Sequence, residues 1–376
     1  MLIIDNPSDR IQYYSLKDEA FVDPNQKISV GSFTESSYLA HVHNDAFIPI
    51  HLNEYKTVLP HVYPIPARTR WGFEDGGFVK LKKNIKHLAN LDFDRCLKNA
   101  YRLMKTISGN VAVELSGGLD SAIVIGVLRK LDYEPVLIGT INQLYKFRTE
   151  RHIQEIIARR PDNIIQIDSF AKQFSNLLET PPHFLPNYGS LQHYVQSTTF
   201  NMLKERGVHY LFQGVGFDST LVDPVGENPN DLRWPTLEDD WLNDYVFSPN
   251  QLSYVDVAAL PPIRQMLLSL RRGQPMDTQK WWSRNFFSSV IPAELSRFAY
   301  KANYGPLWWD GLQSNTDEII EIVDKAWKIT SIPEFKKFSM KSLFDEMNNA
   351  TGRVGFSLLA YANWVTSLDR ANRIAF

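Results

Sequence analysis

Apolar residues along the chain follow two rhythms. Up to about residue 85 they come in short runs, Leu2-Ile3-Ile4, Ile11-Gln12-Tyr13-Tyr14, Ile28-Ser29-Val30 and Ala46-Phe47-Ile48-Pro49-Ile50, cut by Asn, Pro, Asp and Gly. Such spacing predicts short strands joined by turns. Thr57–Pro66 carries Pro60, Pro64 and Pro66 and reads as an extended connector. Trp71–Lys82 predicts a hairpin turned at Asp75-Gly76-Gly77. From Asp92 to Ile107 the rhythm changes: Phe93, Cys96, Leu97, Ala100, Leu103 and Met104 recur at helical spacing.

Strand and helix patterns then alternate. Val111, Val113 and Leu115 mark a strand, and Leu119–Arg129 is an apolar run suited to a helix buried on a sheet. Strands are predicted at Pro135–Ile141, Asn163–Ile167 and Val208–Phe212, and helices at Thr149–Arg160, Phe170–Leu178 and Gln192–Arg206. The last third reads as helical. Leu252–Arg272 is predicted as two helices broken at Pro261-Pro262. Asn315 with Glu318 resembles a capping box ahead of Ile319–Trp327, and Val354–Leu368 closes the series. The fold class expected is α/β: a parallel sheet flanked by helices over residues 89–376, with a helical C-terminal extension and a small β-rich N-terminal domain over 1–88.

Two glycine turns follow predicted strands. After Val111–Leu115 comes Ser116-Gly117-Gly118-Leu119-Asp120-Ser121. Glycines let backbone approach a ligand closely, and the helix start adds a dipole and unpaired N–H groups, so the turn suits a phosphate. Ser116 and Ser121 offer hydroxyl donors. Asp120 would repel a phosphate unless a cation lies between them, and Mg2+ would resolve the conflict. No lysine follows these glycines, so this is not the common ATPase loop. The second turn, Gly214-Val215-Gly216-Phe217-Asp218, ends Val208–Phe212. Ligands bind at the carboxyl edge of parallel strands, so Asp218 is expected to share the Mg2+ with Asp120.

Composition narrows the alternatives. A chain of 376 residues with 44% hydrophobic and 22% charged residues has ample core for two domains. The net charge of −2 gives no global attraction for nucleic acid. Cys96 is the single cysteine, so one chain can build neither a disulfide nor a cysteine metal site. His41 and His43 read as surface residues, and no histidines show metal-ligand spacing. No apolar run reaches membrane-spanning length, and no signal pattern opens the chain; a cytoplasmic setting is expected. Trp281-Trp282 and Trp308-Trp309 could line an apolar pocket, but in helical surroundings they read as core.

The hexapeptide Ser116–Ser121 resembles the pyrophosphate-binding loop of the ATP pyrophosphatase (PP-loop, HUP-like) superfamily, whose members split ATP between the α- and β-phosphates. With the Gly214-x-Gly216-x-Asp218 turn, the stretch from about residue 90 to 310 resembles the synthetase domain of the asparagine synthetase family, which includes β-lactam synthetases and lasso-peptide macrolactam cyclases. Glu114-Leu115-Ser116-Gly117-Gly118 is similar to the start of that loop in the lasso cyclases. Ile291-Pro292 and Arg297 through Gly305 loosely resemble a further family region, which implies that Lys301 neutralises the α-phosphate and the developing acyl charge. The resemblance implies ATP and Mg2+ as cofactors, with Ser116, Gly117, Gly118, Leu119, Asp120, Ser121, Gly214 and Gly216 binding the nucleotide. It makes Asp120 and Asp218 both metal ligands and, with Lys301, the catalytic set.

Two departures shape the functional expectation. Position 2 is Leu2, where the glutaminase of full asparagine synthetases places its cysteine. Val215 stands between the glycines where relatives carry Glu or Tyr, and valine moves no proton. The expected activity is therefore ATP-dependent amide formation without a glutaminase: adenylation of a carboxylate, then displacement of AMP by an amine, as in a peptide or natural-product cyclase of lasso macrolactam type. The substrate would be a small molecule or peptide bearing both groups, and a leader-peptide-binding protein or a protease is a candidate partner. Alternatives are an asparagine-synthetase-like enzyme using free ammonia, a tRNA-modifying PP-loop ligase, and an inactive ATP-binding partner protein. NAD and GMP synthetases share the loop but fit the long helical tail less well.

Overall fold

A computed structural model describes residues 2–6, 12–15, 18, 20–23, 27–29, 62–65, 69–74, 77–80, 95, 98–99, 109–139, 148–166, 173–183, 186, 188–214, 217, 252–257, 263, 266–267, 280–297, 305–349 and 354–375. Its centre is a five-stranded parallel sheet. The strands are β8 (Asn110–Glu114), β9 (Val136–Gly139), β10 (Ile164–Gln166), β11 (Val208–Gln213) and β12 (Ser253–Asp256). Their spatial order is β10-β9-β8-β11-β12. The chain moves outward from β8 to β10, then returns to β8's other side for β11 and β12. That reversal is the mark of a doubly wound, Rossmann-like α/β core, and the switch point lies between β8 and β11.

The connecting helices are α1 (Leu119–Lys130), α2 (Arg148–Ala158) and α3 (His193–Glu205). One sheet face buries Val111, Val113 and Phe212 with Ile123, Val127 and Ile153. The other buries Ala112, Ile138 and Leu211 with Phe200 and Leu203. Both faces are covered, which is why these strands read as nearly continuous apolar runs.

Further helices among the described residues are α4 (Trp281–Phe286), α5 (Ala293–Arg297), α6 (Gly305–Ser314), α7 (Thr316–Thr330), α8 (Pro333–Lys337), α9 (Met340–Asn349) and α10 (Val354–Arg370). A second core forms where Ile319, Ile322, Val323 and Ala326 of α7 meet Leu359, Tyr361, Trp364 and Val365 of α10. Trp308 joins it edge-on to Phe356 at 5.7 Å, and Trp309 lies 4.1 Å from the Phe344 ring, so this tryptophan pair is packing.

The N-terminal strands are β1 (Leu2–Asn6), β2 (Gln12–Ser15), β3 (Ala20–Phe21), β4 (Ile28–Ser29), β5 (Val62–Ile65), β6 (Thr69–Glu74) and β7 (Gly77–Lys80). They form the sheets β1-β6-β7 and β3-β2-β5, and β6 and β7 are the expected hairpin. β4 pairs in parallel with β13 (Ile374–Ala375), near the far end of the chain. The strand expected at Ala46–Ile50 lies outside the described residues, as does most of the helix expected at Asp92–Ile107.

Several elements differ from expectation. Ser253–Asp256 is a strand, not helix: Leu252 packs in one core layer and Val255 and Val257 in the other, as strand geometry at a sheet covered on both faces requires, and helix is seen again at Ile263, Met266 and Leu267. The connector around Pro64 forms β5, paired with β2. Phe174 and Asn176 adopt left-handed backbone, so no helix passes through them, and only a 3-10 turn forms at Leu177–Glu179. The capping box at α7 is absent. Glu318 accepts the Leu178 amide (3.0 Å), while the Asn315 amide donates to the Gln173 and Gly311 carbonyls (2.9 and 2.8 Å).

A polar node ties α10 to the segment before α3. Asn363 donates to the hydroxyls of Thr180 (3.2 Å) and Ser190 (3.1 Å), and the Trp364 indole donates to the His183 carbonyl (2.9 Å). His183 is buried, its Nδ1–H donating to the Pro181 carbonyl at 3.0 Å. Burial drives its pKa down to about 4 from 6.5. The unfolded chain then binds a proton that the folded chain refuses, so stability is full above pH 6.5 and falls as pH drops toward 4. At pH 5 the loss from this group is about 2 kcal/mol. Thermal melts should show a lower Tm at pH 5 than at pH 7.5, and His183→Gln should shrink that difference.

Candidate active site

The site grows from the junction of β8 and α1. Leu115 continues the ladder, its amide donating to the Ile138 carbonyl (2.7 Å). Gly117 has φ +83, and a Cβ there would lie 2.7 Å from the Glu150 carbonyl oxygen. Glycine is therefore required twice, for left-handed backbone and for contact with α2. The Gly118 amide donates to Ser116 Oγ (3.2 Å), and Ser121 Oγ donates to the Gly118 carbonyl (3.1 Å). The two hydroxyls are 3.1 Å apart. Gln154 of α2 donates to the Leu115 carbonyl (2.8 Å), bracing the loop from the other side. Gly118 is the N-cap of α1 and has no side chain to cover the first-turn N–H groups. Those donors and the helix dipole face the turn, the arrangement that binds phosphate.

The turn after β11 lies against the same place. A Cβ on Gly214 would come 3.0 Å from Val124 Cγ2 and 3.1 Å from the Asp120 carbonyl oxygen. The Phe217 amide donates to the Gly214 carbonyl (3.0 Å), and the Phe217 ring is buried edge-on to Phe287 at 6.0 Å. Thus Ser116–Ser121 and Gly214 are brought together at the switch point. Gly216, Asp218 and Lys301 lie outside the described residues.

A lysine completes the junction. Lys280 Nζ donates to both carboxylate oxygens of Asp120, at 2.7 and 2.8 Å. The side chains are 12% and 26% exposed, respectively. Lys280 is the N-cap of α4 and sits at φ 58, ψ 36. Left-handed backbone costs a non-glycine residue on the order of 1–3 kcal/mol and concentrates at functional sites. The helix behind it is anchored firmly. Arg284 is buried, donates to the Leu295 carbonyl and lies 5.9 Å from the Trp281 ring centroid. Phe287 stacks edge-on with Phe286 at 5.0 Å and links this segment to Phe217. Sequence reading missed Lys280 because its partner is 160 residues away and no local motif surrounds it.

Glu114 ends β8 in phase with Ala112, on the sheet face opposite Val111 and Val113. Gln213, at the end of β11, donates to Glu114 Oε2 at 3.3 Å, so the pair spans the switch point. The Glu114 side chain is open to solvent at the strand end.

Asp120 and the serine hydroxyls are hard oxygen donors that fit Mg2+, with Lys280 as the charge it would have to displace or share. Among the described residues, no group of three or more His, Cys, Asp or Glu side chains could hold a metal. No helix among them is long and apolar enough to cross a membrane. No family model matches the chain, and no curated protein matches it in sequence. Fold and site define the class: an α/β protein with a doubly wound parallel sheet, carrying a glycine turn, a carboxylate and a lysine at its switch point.

Gly117→Ala should destabilise the protein by roughly 1–3 kcal/mol, because it meets both strained backbone and the Glu150 carbonyl. Denaturant melts would measure this, and an unchanged midpoint would contradict the tight packing of the turn on α2.

Proposed function

We propose that the chain is an AMP-forming carbon–nitrogen ligase of the PP-loop type, similar to the synthetase domain of asparagine synthetases. The observation that carries the reading is Lys280 paired with Asp120 at the glycine turn of the switch point. Clefts outside the carboxyl ends of such strands bind nucleotides. The amides at the start of α1 and the Ser116 and Ser121 hydroxyls would receive the ATP phosphates. Lys280, a compact charge, would neutralise phosphate oxygens as pyrophosphate departs. Lys301 and Asp218 belong to the same proposal, Lys301 for charge on the α-phosphate and Asp218 beside Asp120 as a Mg2+ ligand. Bound Mg2+ would offset the phosphate charge that Asp120 otherwise repels.

The reaction has two steps. A substrate carboxylate oxygen attacks the α-phosphorus, the bond to the β-phosphate bridge breaks, and an acyl-adenylate and pyrophosphate form. An amine then attacks the acyl carbon, AMP leaves, and an amide results. The chain's contribution is positioning and charge neutralisation. A peptide or small molecule carrying both carboxylate and amine, cyclised in the manner of a lasso macrolactam, is the proposed substrate. A leader-peptide-binding protein or a protease is the proposed partner.

The test is pyrophosphate release from Mg-ATP with pools of carboxylate-bearing amino acids and ribosomal peptides. Substrate-dependent release is expected, falling on the order of 10²–10³-fold in Lys280→Ala and also lost in Asp120→Ala. ATP binding without release under any pool would favour an inactive partner protein. Failure to bind ATP would overturn the reading.

A further inference from the structure

Asp120 stands in the first turn of α1, among the amides that suit a phosphate. A divalent cation would have to compete there with Lys280 for the same atoms. Lys280 Nζ donates to Oδ1 at 2.7 Å and to Oδ2 at 2.8 Å, so it straddles the carboxylate and does not merely touch one corner of it. Mg2+ would need such oxygens at about 2.0–2.1 Å, with octahedral room around the ion. It also parts with water reluctantly, and a carboxylate already neutralised offers little in return. An ammonium beside the ion adds repulsion. The Asp120 side chain is more exposed than that of Lys280. The carboxylate therefore keeps a face to solvent, by which an ion could arrive once the lysine head had moved.

The two ends of Lys280 are held very differently. Its backbone is fixed at φ 58, ψ 36, ahead of a helix anchored by the buried Arg284 and Phe287. Its ammonium rides on a flexible four-carbon stem. A phosphate at the start of α1 would lie on the same helical turn as Asp120, within the sweep of that stem. A polyphosphate brings several charges against the carboxylate's one, so it competes for the ammonium at an advantage.

We infer that Lys280 is a tethered counter-ion that keeps divalent metal off Asp120 until an anionic ligand at the glycine turn draws it away, so that the nucleotide binds before the metal. The exclusion of metal belongs to the Asp120–Lys280 pair, whereas the order of binding rests on the ligase reading above. A purely structural tie between α1 and α4 has a different signature: breaking it lowers stability and creates no metal site.

The experiment uses the full chain with Mn2+ as the probe, and electron paramagnetic resonance counts the free aqueous ion. With no nucleotide added, Lys280→Met should bind Mn2+ at least about tenfold more tightly than the wild type. Lys280→Gln, also neutral, should do the same and covers the case in which methionine is poorly tolerated. Lys280→Arg, which keeps a positive charge against the carboxylate, should exclude the metal as the wild type does. Adding Asp120→Asn to Lys280→Met should abolish the gained binding. Thermal melts check that each variant is folded. In a second arm, the wild type in EDTA should bind α,β-methylene-ATP, and Lys280→Met should weaken that binding by about tenfold or more. Equal Mn2+ affinity in the wild type and both neutral variants, whether tight or undetectable, overturns the inference. Gained Mn2+ binding that survives Asp120→Asn also overturns it, because the ion then lies elsewhere. Nucleotide binding that occurs with metal but fails in EDTA overturns the order of binding. No nucleotide binding under either condition overturns the ligase reading, and the first arm still decides whether Lys280 holds metal off Asp120.

Discussion

The parallel pairing of β8 with β11 is the constraint from which the site follows. These strands are adjacent in space though most of a hundred residues separate them, with Leu211 opposite Ala112 and Phe212 opposite Val113. Reversal of winding at this pair leaves no crossover helix above their carboxyl ends. Both glycine turns open into that gap. Gly214 can lie against the Asp120 carbonyl and the Val124 side chain at the start of α1 because it has no Cβ. Any bulk at that contact would push β11's turn away from Asp120, and Phe217, seated in the core against Phe287, would be drawn out with it.

Charge organises what the pairing brings together. A partly buried aspartate at a helix start is favoured by the dipole, yet it would oppose a phosphate brought to the same helix start. Lys280 balances this carboxylate. Breaking a fully buried pair costs about 3–5 kcal/mol, and partial exposure reduces that here. The lysine is held by left-handed backbone on a short helix locked through Arg284 and Phe287, so its position is set by packing as well as by its partner.

What could be read from residues alone divides along the range of the interactions involved. The β8-turn-α1 unit was legible because its signals are local: Val111, Val113 and Leu115, then two glycines, then an unbroken apolar run. Short apolar runs likewise revealed β9, β10 and β11 within a residue or two. β12 was misread because four strand residues precede Ile263, Met266 and Leu267, so one window blended two periods. The capping box at Asn315 and Glu318 matched a local rule, but the Leu178 amide took the glutamate from 140 residues away. Lys280 failed to stand out for the same reason. Its significance lies in what the fold places opposite it, and a lysine before two tryptophans carries no sign of that.

The pairing of Ile28-Ser29 with Ile374-Ala375 has a consequence for how the chain reaches this structure. Synthesis proceeds from the amino end, so β4 is made long before the strand it pairs with. Ile28 is buried in the same core as Trp364 and Leu368. During elongation that apolar position has nothing native to rest on, and the helical core closes over it only when α10 and the strand after it are in place. The pair is thus a clasp of very long sequence separation, the kind of contact that closes late in folding.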